Sequence, residues 1–144
     1  MFQAISLIGY LAMVGGLIGL LATRNVLSPS PVVIAPQIAA VALFVWARIT
    51  FGRRSFHLAA NPTAGGVVDT GPYHFIRHPI YTGFIIFTTT GAAAHFSWTT
   101  LLLAGLVWVG ALSRMFCEER LVMARYPEYR QYAAKTWRMI PFVF

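Results

Sequence analysis

The chain has 144 residues, of which 58% are hydrophobic and only 10% are charged. Soluble domains carry about a quarter charged residues, so this composition excludes an ordinary soluble domain and indicates one membrane unit over residues 1–144. The formal net charge of +7 fits basic residues that flank membrane spans, and we expect no nucleic-acid partner. The single cysteine excludes an intrachain disulfide and a multi-cysteine metal site.

Four apolar runs predict about four transmembrane helices. They cover residues 3–23, 32–51, 80–96 and 98–116, and the last is expected to continue to residue 125. A run of about 20 apolar residues is enough to cross a bilayer, and the third run is slightly short. The first run is too long for a signal peptide and lacks a basic segment before it. Its glycines predict close helix packing: Gly9, Gly15, Gly16 and Gly19. The predicted fold class is therefore all-α integral membrane.

Two polar segments interrupt or follow these runs. Residues 55–77 carry Asn-Pro, Gly-Gly and Gly-Pro pairs, which predict a loop with one short interfacial helix at residues 55–60. Loops of this length are usually functional. After the fourth run, Tyr126-Pro127 predicts a break, followed by a short amphipathic helix to Lys135 and an apolar tail.

The basic residues predict the orientation. Arg24 stands alone on one side, whereas the side of both termini carries Arg48, Arg53, Arg54, Arg77, Arg114, Arg120, Arg125, Arg130, Lys135 and Arg138. The positive-inside rule then places both termini and the 55–77 loop in the cytoplasm. His78 and Glu118 each lie about 20 residues from Ser97, or roughly 30 Å along a helix, so we expect both at the cytoplasmic interface.

Polar chemistry is concentrated in residues 70–83, T-G-P-Y-H-F-I-R-H-P-I-Y-T-G, at the start of the third run. This stretch and the acidic pair after the fourth run supply a guanidinium, an imidazole, two phenol rings and two carboxylates: Arg77, His78, Tyr73, Tyr81, Glu118 and Glu119. A guanidinium binds carboxylate or phosphate, carboxylates accept from hydroxyl or ammonium groups, and aromatic rings stack on a base or a cation. Together they suit a zwitterionic cofactor that contains a nucleoside.

The motif R-H-P-I-Y-T-G at residues 77–83 resembles the R-H-P-x-Y-x-G motif of membrane methyltransferases of the isoprenylcysteine carboxyl methyltransferase type. The pair Glu118-Glu119 is similar to the second half of that signature, and E-Y-R-Q-Y followed by I-P-F is similar to the C-terminal pattern of the family. The resemblance covers about residues 71–142, and the first two spans match in character only.

The resemblance implies S-adenosylmethionine as the methyl donor, bound in a cytoplasmic pocket that the C-terminal helical segment closes. Carried over by position, the cofactor-binding residues would be Tyr73, His78, Pro79, Tyr81, Gly83, Glu118, Glu119, Tyr126 and Tyr129. The catalytic residues would be Arg77, Glu119, Lys135 and Arg138. Lys135 stands where the eukaryotic pattern has arginine, and lysine cannot form the bidentate fork. Arg138 can substitute for it, and this departure argues against assuming an isoprenylcysteine substrate.

The mechanism that this implies is direct methyl transfer to a lipophilic or prenylated acceptor within membrane lipid. The nucleophile would be a carboxylate, an amine or a thiolate. The methyl group of a sulfonium is already activated, so the protein mainly positions and desolvates the reactants. We expect no metal.

Two other functions fit the same residues. One is a membrane reductase related to sterol reductases, whose nicotinamide dinucleotide would meet the basic C-terminal residues; the chain is short for it. The other is a non-enzymatic membrane protein. In that case Arg77 and His78 would anchor a span at the interface, and Glu118 would pair with Arg114 four residues earlier. His57, His74 and His95 are expected to be structural in every case.

Overall fold

A computed structural model of the protein describes residues 1–52 and 66–144, and these residues are helical apart from turns and short connections. The helices are α1 (Phe2–Ala22), α2 (Pro31–Phe51), α3 (Pro79–Ala94), α4 (Trp98–Arg125) and α5 (Tyr129–Lys135), with a 3-10 helix at Gly71–His74. The predicted all-α class is confirmed. The predicted helix at residues 55–60 lies outside the described residues, as do Arg53, Arg54 and His57.

Three helices, α1, α2 and α4, are long and apolar enough to cross a membrane. The helix α3 has 16 residues. At 1.5 Å per residue it is about 24 Å long, shorter than a hydrocarbon core of about 30 Å. It ends at Ala94 rather than at the predicted residue 96, because Ser97 and Thr100 form a capping box that starts α4. That the third predicted run, α3, also crosses the membrane therefore stays a prediction.

The helices pack as α1 against α4, α2 against α3, and α3 against α4. Glycine permits the closest of these approaches. A Cβ atom on Gly9 would lie 2.9 Å from the carbonyl oxygen of Gly110 in α4, and Gly16 and Gly19 also face α4. Gly15 meets no described atom within 4 Å, so the predicted packing role is wrong at that position alone.

Polar contacts connect the elements at one end of the bundle. The Gln37 side chain in α2 donates to the carbonyl oxygen of Val26 at 2.6 Å and to that of Phe87 in α3 at 3.2 Å. Gly91 in α3 lies against the backbone of Val26, and His95 Nε2 lies 2.7 Å from the carbonyl oxygen of Leu27. These contacts join α2 and α3 to the turn after α1, and the chemistry-bearing residues lie at the opposite end of the bundle, at the start of α3 and the end of α4.

Candidate functional site

The tail, residues 137–144, is hydrogen-bonded along the backbone that leads into α3. Trp137 N–H donates to the Phe75 carbonyl at 3.0 Å, and Arg77 N–H donates to the Trp137 carbonyl at 2.7 Å. His78 N–H then donates to the carbonyl of Arg138 at 2.9 Å. His78 is the non-helical residue before Pro79, so its N–H is free for this bond. The pairing brings the end of the chain beside the R-H-P motif.

Three basic side chains converge on Glu119. Arg77 Nε donates to Glu119 Oε1 at 2.8 Å, and His78 Nε2 lies 3.3 Å from the same oxygen. Arg138 Nε donates to the other oxygen, Oε2, at 3.1 Å. The side chains of Glu119 and Arg77 are 5% and 7% exposed, whereas that of Arg138 is 36% exposed. We call these four residues the Glu119 cluster. It brings together three of the four residues predicted to be catalytic.

Arg77 also fastens α5 to this cluster. Its Nη1 donates to the carbonyl oxygen of Ala133 at 2.9 Å and to that of Thr136. These carbonyls belong to the C-terminal end of α5, where the helix carries partial negative charge and lacks its own donors. Arg77 therefore joins α3, α4 and α5, a role that its position in the sequence did not reveal.

The neighbouring carboxylate, Glu118, belongs to a separate group. Tyr81 Oη donates to Glu118 Oε1 at 2.6 Å. Arg114 Nε donates to Tyr81 Oη at 2.7 Å and to Glu118 Oε1 at 3.0 Å. We call these three residues the Glu118 cluster. Adjacent residues of an α-helix point about 100° apart, which is why the two carboxylates meet different partners.

The two carboxylates differ in how many of their oxygens already accept a hydrogen bond from the protein. Glu119 accepts hydrogen bonds on both oxygens and is buried. Within the described residues, the hydrogen bonds to Glu118 reach Oε1, and its side chain is 26% exposed. Oε2 of Glu118 can therefore accept from a ligand or from water, whereas the oxygens of Glu119 are buried and already accept from basic partners.

Buried aromatic rings line the same end of the molecule. The rings of His78 and Tyr81 are stacked with centroids 5.6 Å apart, and Tyr73 packs against Phe51 at 5.3 Å. Tyr132 Oη donates to the carbonyl oxygen of Tyr73 at 2.6 Å. Burial raises the pKa of Tyr73, and then the proximity of Tyr132 raises it further above the ordinary value of 10.0. Burial likewise raises the pKa of Tyr129 and Tyr132.

The remaining predicted site residues lie around these clusters. Pro79 is buried at the start of α3, and a Cβ atom on Gly83 would lie 2.9 Å from the carbonyl oxygen of Ala40, so Gly83 allows α2 and α3 to approach. Tyr126 ends α4 beneath the guanidinium of Arg125. Lys135 is exposed at the end of α5, and no ion pair joins it to the Glu119 cluster within the described residues. Cofactor or substrate contacts of these residues stay predictions.

Arg114 is the residue that the sequence predicted only as an ion-pair partner. The structure confirms that i, i+4 pair and adds the bond to Tyr81 in another helix. The available signal was a charged residue within an apolar run, since such residues inside membrane helices usually serve a function. No group of three or more His, Cys, Asp or Glu residues within residues 1–52 and 66–144 could hold a metal ion.

The fold and this site define a helical membrane protein with ionised clusters at one end of its bundle. Its class follows from comparison with known families. The model of the isoprenylcysteine carboxyl methyltransferase (ICMT) family matches residues 32–124, which is more than half of the chain. The chain belongs to that family and is a membrane methyltransferase in that general sense. The match includes α2, which the resemblance over residues 71–142 left out. Neither the curated proteins nor the solved structures gave a match.

Proposed function

We propose that the protein transfers a methyl group from S-adenosylmethionine to a lipophilic acceptor at the cytoplasmic face of a membrane. The observation that carries this proposal is the pair of adjacent carboxylates in two different polar clusters at the end of α4. One is neutralised by basic groups, and the other keeps an oxygen for a ligand. Family membership supports methyl transfer as the reaction.

The side chains present fit the proposed cofactor. S-adenosylmethionine carries an ammonium, a sulfonium, a carboxylate and ribose hydroxyls. Oε2 of Glu118 can accept from a hydroxyl or ammonium group, and aromatic faces attract cationic groups. The proposed cofactor-binding set is Tyr73, His78, Pro79, Tyr81, Gly83, Glu118, Glu119, Tyr126 and Tyr129.

When bound, the cofactor would supply a methyl group already activated by its sulfonium. The chain then has three tasks: to bind, to orient and to exclude water. The Glu119 cluster fixes the tail beside the start of α3, since Arg138 belongs to the tail and Arg77 to the motif. Thr82 Oγ1 adds a hydrogen bond of 3.1 Å to the carbonyl oxygen of Met139. The tail thus covers this side of the site from water.

The proposed acceptor carries a carboxylate, as an isoprenylcysteine-like group does, or a lipid amine. Within the Glu119 cluster, the side chain of Arg138 is the more accessible of the two arginines. Arg77 is buried, and its guanidinium donates to a carbonyl of α5. Lys135 is exposed and can add positive charge at long range. We therefore assign orientation of an acceptor carboxylate to Arg138 with Lys135, and organisation of the site to Arg77 and Glu119.

The test is methyl transfer from tritiated S-adenosylmethionine in detergent, with a farnesylated N-acetylcysteine and a farnesylated amine as parallel acceptors. We expect label in the organic phase, and base treatment separates the two outcomes because a methyl ester releases volatile methanol whereas a methylamine does not. Arg138→Gln should raise the KM of a carboxylate acceptor with little change for the amine. Arg130→Gln, an exposed arginine in α5, is the matched control. Labelling of neither acceptor would contradict the proposed acceptor chemistry.

A further inference from the structure

Arg114 is a buried charge that the proposed mechanism does not use. It lies inside α4, and its side chain is 7% exposed. Its Nε atom donates to Tyr81 Oη and to Glu118 Oε1, and Tyr81 Oη donates to the same carboxylate oxygen. The three groups therefore contact one another across the interface between α3 and α4. A charged residue in an apolar helix is retained only where it is paired, so this arrangement requires an explanation.

The helix α1 contributes to holding Arg114 in place. The guanidinium carbon of Arg114 lies 5.1 Å from the ring centroid of Tyr10, a distance at which the ring attracts the cation. Gly9 permits this contact, because its missing side chain lets the backbones of α1 and α4 meet beside Gly110 and Arg114. Tyr10 lies outside the range that matches the family model, residues 32–124. The contact is thus supplied by a part of the chain beyond that range.

We infer that Arg114 is a positioning residue for the methyl-donor site. By binding Oε1 of Glu118 and the phenol of Tyr81, it fixes the carboxylate through one oxygen and leaves Oε2 to the cofactor. A ligand-binding group that is already held in place binds more tightly, because less side-chain freedom is lost on binding. Arg114 itself does not contact the cofactor. This inference rests on the proposed function, since Glu118 and Tyr81 are there proposed to bind S-adenosylmethionine.

The first test measures the affinity for S-adenosylhomocysteine by calorimetry with purified full-length protein in detergent. Arg114→Gln keeps a donor of similar length but removes the charge, and we expect it to weaken binding about tenfold, the size of one lost charge-assisted hydrogen bond. Arg114→Lys restores the charge and should recover part of the lost affinity, since an ammonium can pair with Glu118 but does not reproduce the planar guanidinium. Arg120→Gln, an exposed arginine in the same helix, should bind like the wild type.

A double-mutant cycle separates positioning from a merely structural role. If Arg114 acts through Glu118, then Arg114→Gln should change affinity less than about twofold in a Glu118→Gln background. Additive losses in the two backgrounds would overturn the inference, as would wild-type affinity in the single variant. Absence of binding by the wild type would instead overturn the proposed function and the inference with it.

A second pair of variants keeps the test decisive if Arg114→Gln does not fold. Tyr10→Leu removes the ring that faces Arg114, and Tyr10→Phe keeps it. We expect Tyr10→Leu to bind S-adenosylhomocysteine about threefold more weakly than Tyr10→Phe. Equal affinities of these two variants would overturn the inference, and the expected difference would support it.

Discussion

At the scale of single residues, the acidic pair divides into two roles. Glu119 is buried, contacts His78 and balances Arg77 and Arg138, whereas Glu118 is partly exposed and held by Tyr81 and Arg114. A buried carboxylate beside arginines stabilises the fold mainly because it keeps their positive charges paired. Removing one partner of such a pair leaves uncompensated charge, which is more damaging than the pair is favourable.

The first prediction compares Glu119→Gln with Glu118→Gln. Glu119→Gln should lower the free energy of unfolding by about 3 kcal/mol, because two arginines lose their buried carboxylate. Glu118→Gln should be less damaging, at about 1–2 kcal/mol, since its side chain is partly exposed and the amide oxygen still accepts from Tyr81 and from the buried Arg114. Denaturant unfolding of both variants in the same detergent measures this. Equal destabilisation would contradict the division of roles.

The sequence predicted that the acidic pair belongs to the site, but it did not predict the different roles of Glu118 and Glu119. Their assignment depends on the rotation of α4 about its axis, which adjacency in the sequence does not specify. The apposition of the R-H-P motif and the acidic pair was predictable from the equal distances to Ser97, and the structure brings His78 and Glu119 together. The carbonyls of Ala133 and Thr136 that bind Arg77 were not predictable, because every residue has a carbonyl.

At the scale of elements, helix contacts set the site. The apolar runs predict the helices α1, α2 and α4. The ends of α1 and α2 lie within a residue or two of the predicted ends, and α4 continues past its apolar run to Arg125, as expected. The presence of four glycines in α1 did not by itself predict which side of that helix faces α4. That depends on the direction of each glycine around the helix, as the contrast between Gly9 and Gly15 shows.

The second prediction uses that contrast. Gly9→Ala should destabilise the protein by about 1–3 kcal/mol, because its Cβ atom would lie 2.9 Å from a backbone oxygen of α4 that cannot move freely. Gly15→Ala on the same helix meets no described atom within 4 Å and should be neutral or stabilising by up to about 1 kcal/mol. Thermal unfolding in one detergent compares the two. A Gly15→Ala variant as unstable as Gly9→Ala would show that α1 packs differently.

The third prediction concerns the phenols of Tyr73 and of Tyr132, which lies in α5. Burial raises the pKa of both phenols above their ordinary value of 10.0, so in the folded protein they keep their protons at a pH where the unfolded chain loses them. The free energy of unfolding should therefore fall as pH rises above about 10 and be unaffected by these groups below it. Denaturant unfolding between pH 8 and pH 11 measures how the free energy of unfolding changes with pH. This interval lies on both sides of the ordinary tyrosine pKa, about 10.

Tyr132→Phe is the control for this pH dependence. It removes one titrating phenol and its bond to the carbonyl of Tyr73, so the variant should start less stable and lose stability less steeply with pH. An unchanged slope would mean that Tyr132 does not carry the alkaline sensitivity.

At the scale of the whole molecule, the site lies at one end of a helical bundle in a chain with 11 basic and 4 acidic residues. The basic residues of the described part are concentrated at the end that carries both clusters, and Arg24 lies at the turn after α1. The positive-inside rule then favours a cytoplasmic site and a cytoplasmic C-terminus. A water-soluble nucleoside cofactor would reach the site from that side.

The fourth prediction tests this orientation. Alkaline phosphatase fused after residue 144 should be inactive in a bacterial host, and a fluorescent protein fused there should fluoresce, because each reports one side of the membrane. The same phosphatase inserted within residues 25–30 should be active. A reversed pattern would place the site on the opposite face and contradict the proposed orientation.

Calorimetric titration of the purified protein with S-adenosylhomocysteine, beside an identical titration with NADPH, tests the central claim most directly. We predict saturable binding of S-adenosylhomocysteine that Glu118→Gln weakens at least tenfold, and no binding of NADPH. Binding of NADPH alone would identify a reductase site, and binding of neither ligand by folded protein would contradict the methyl-donor site altogether.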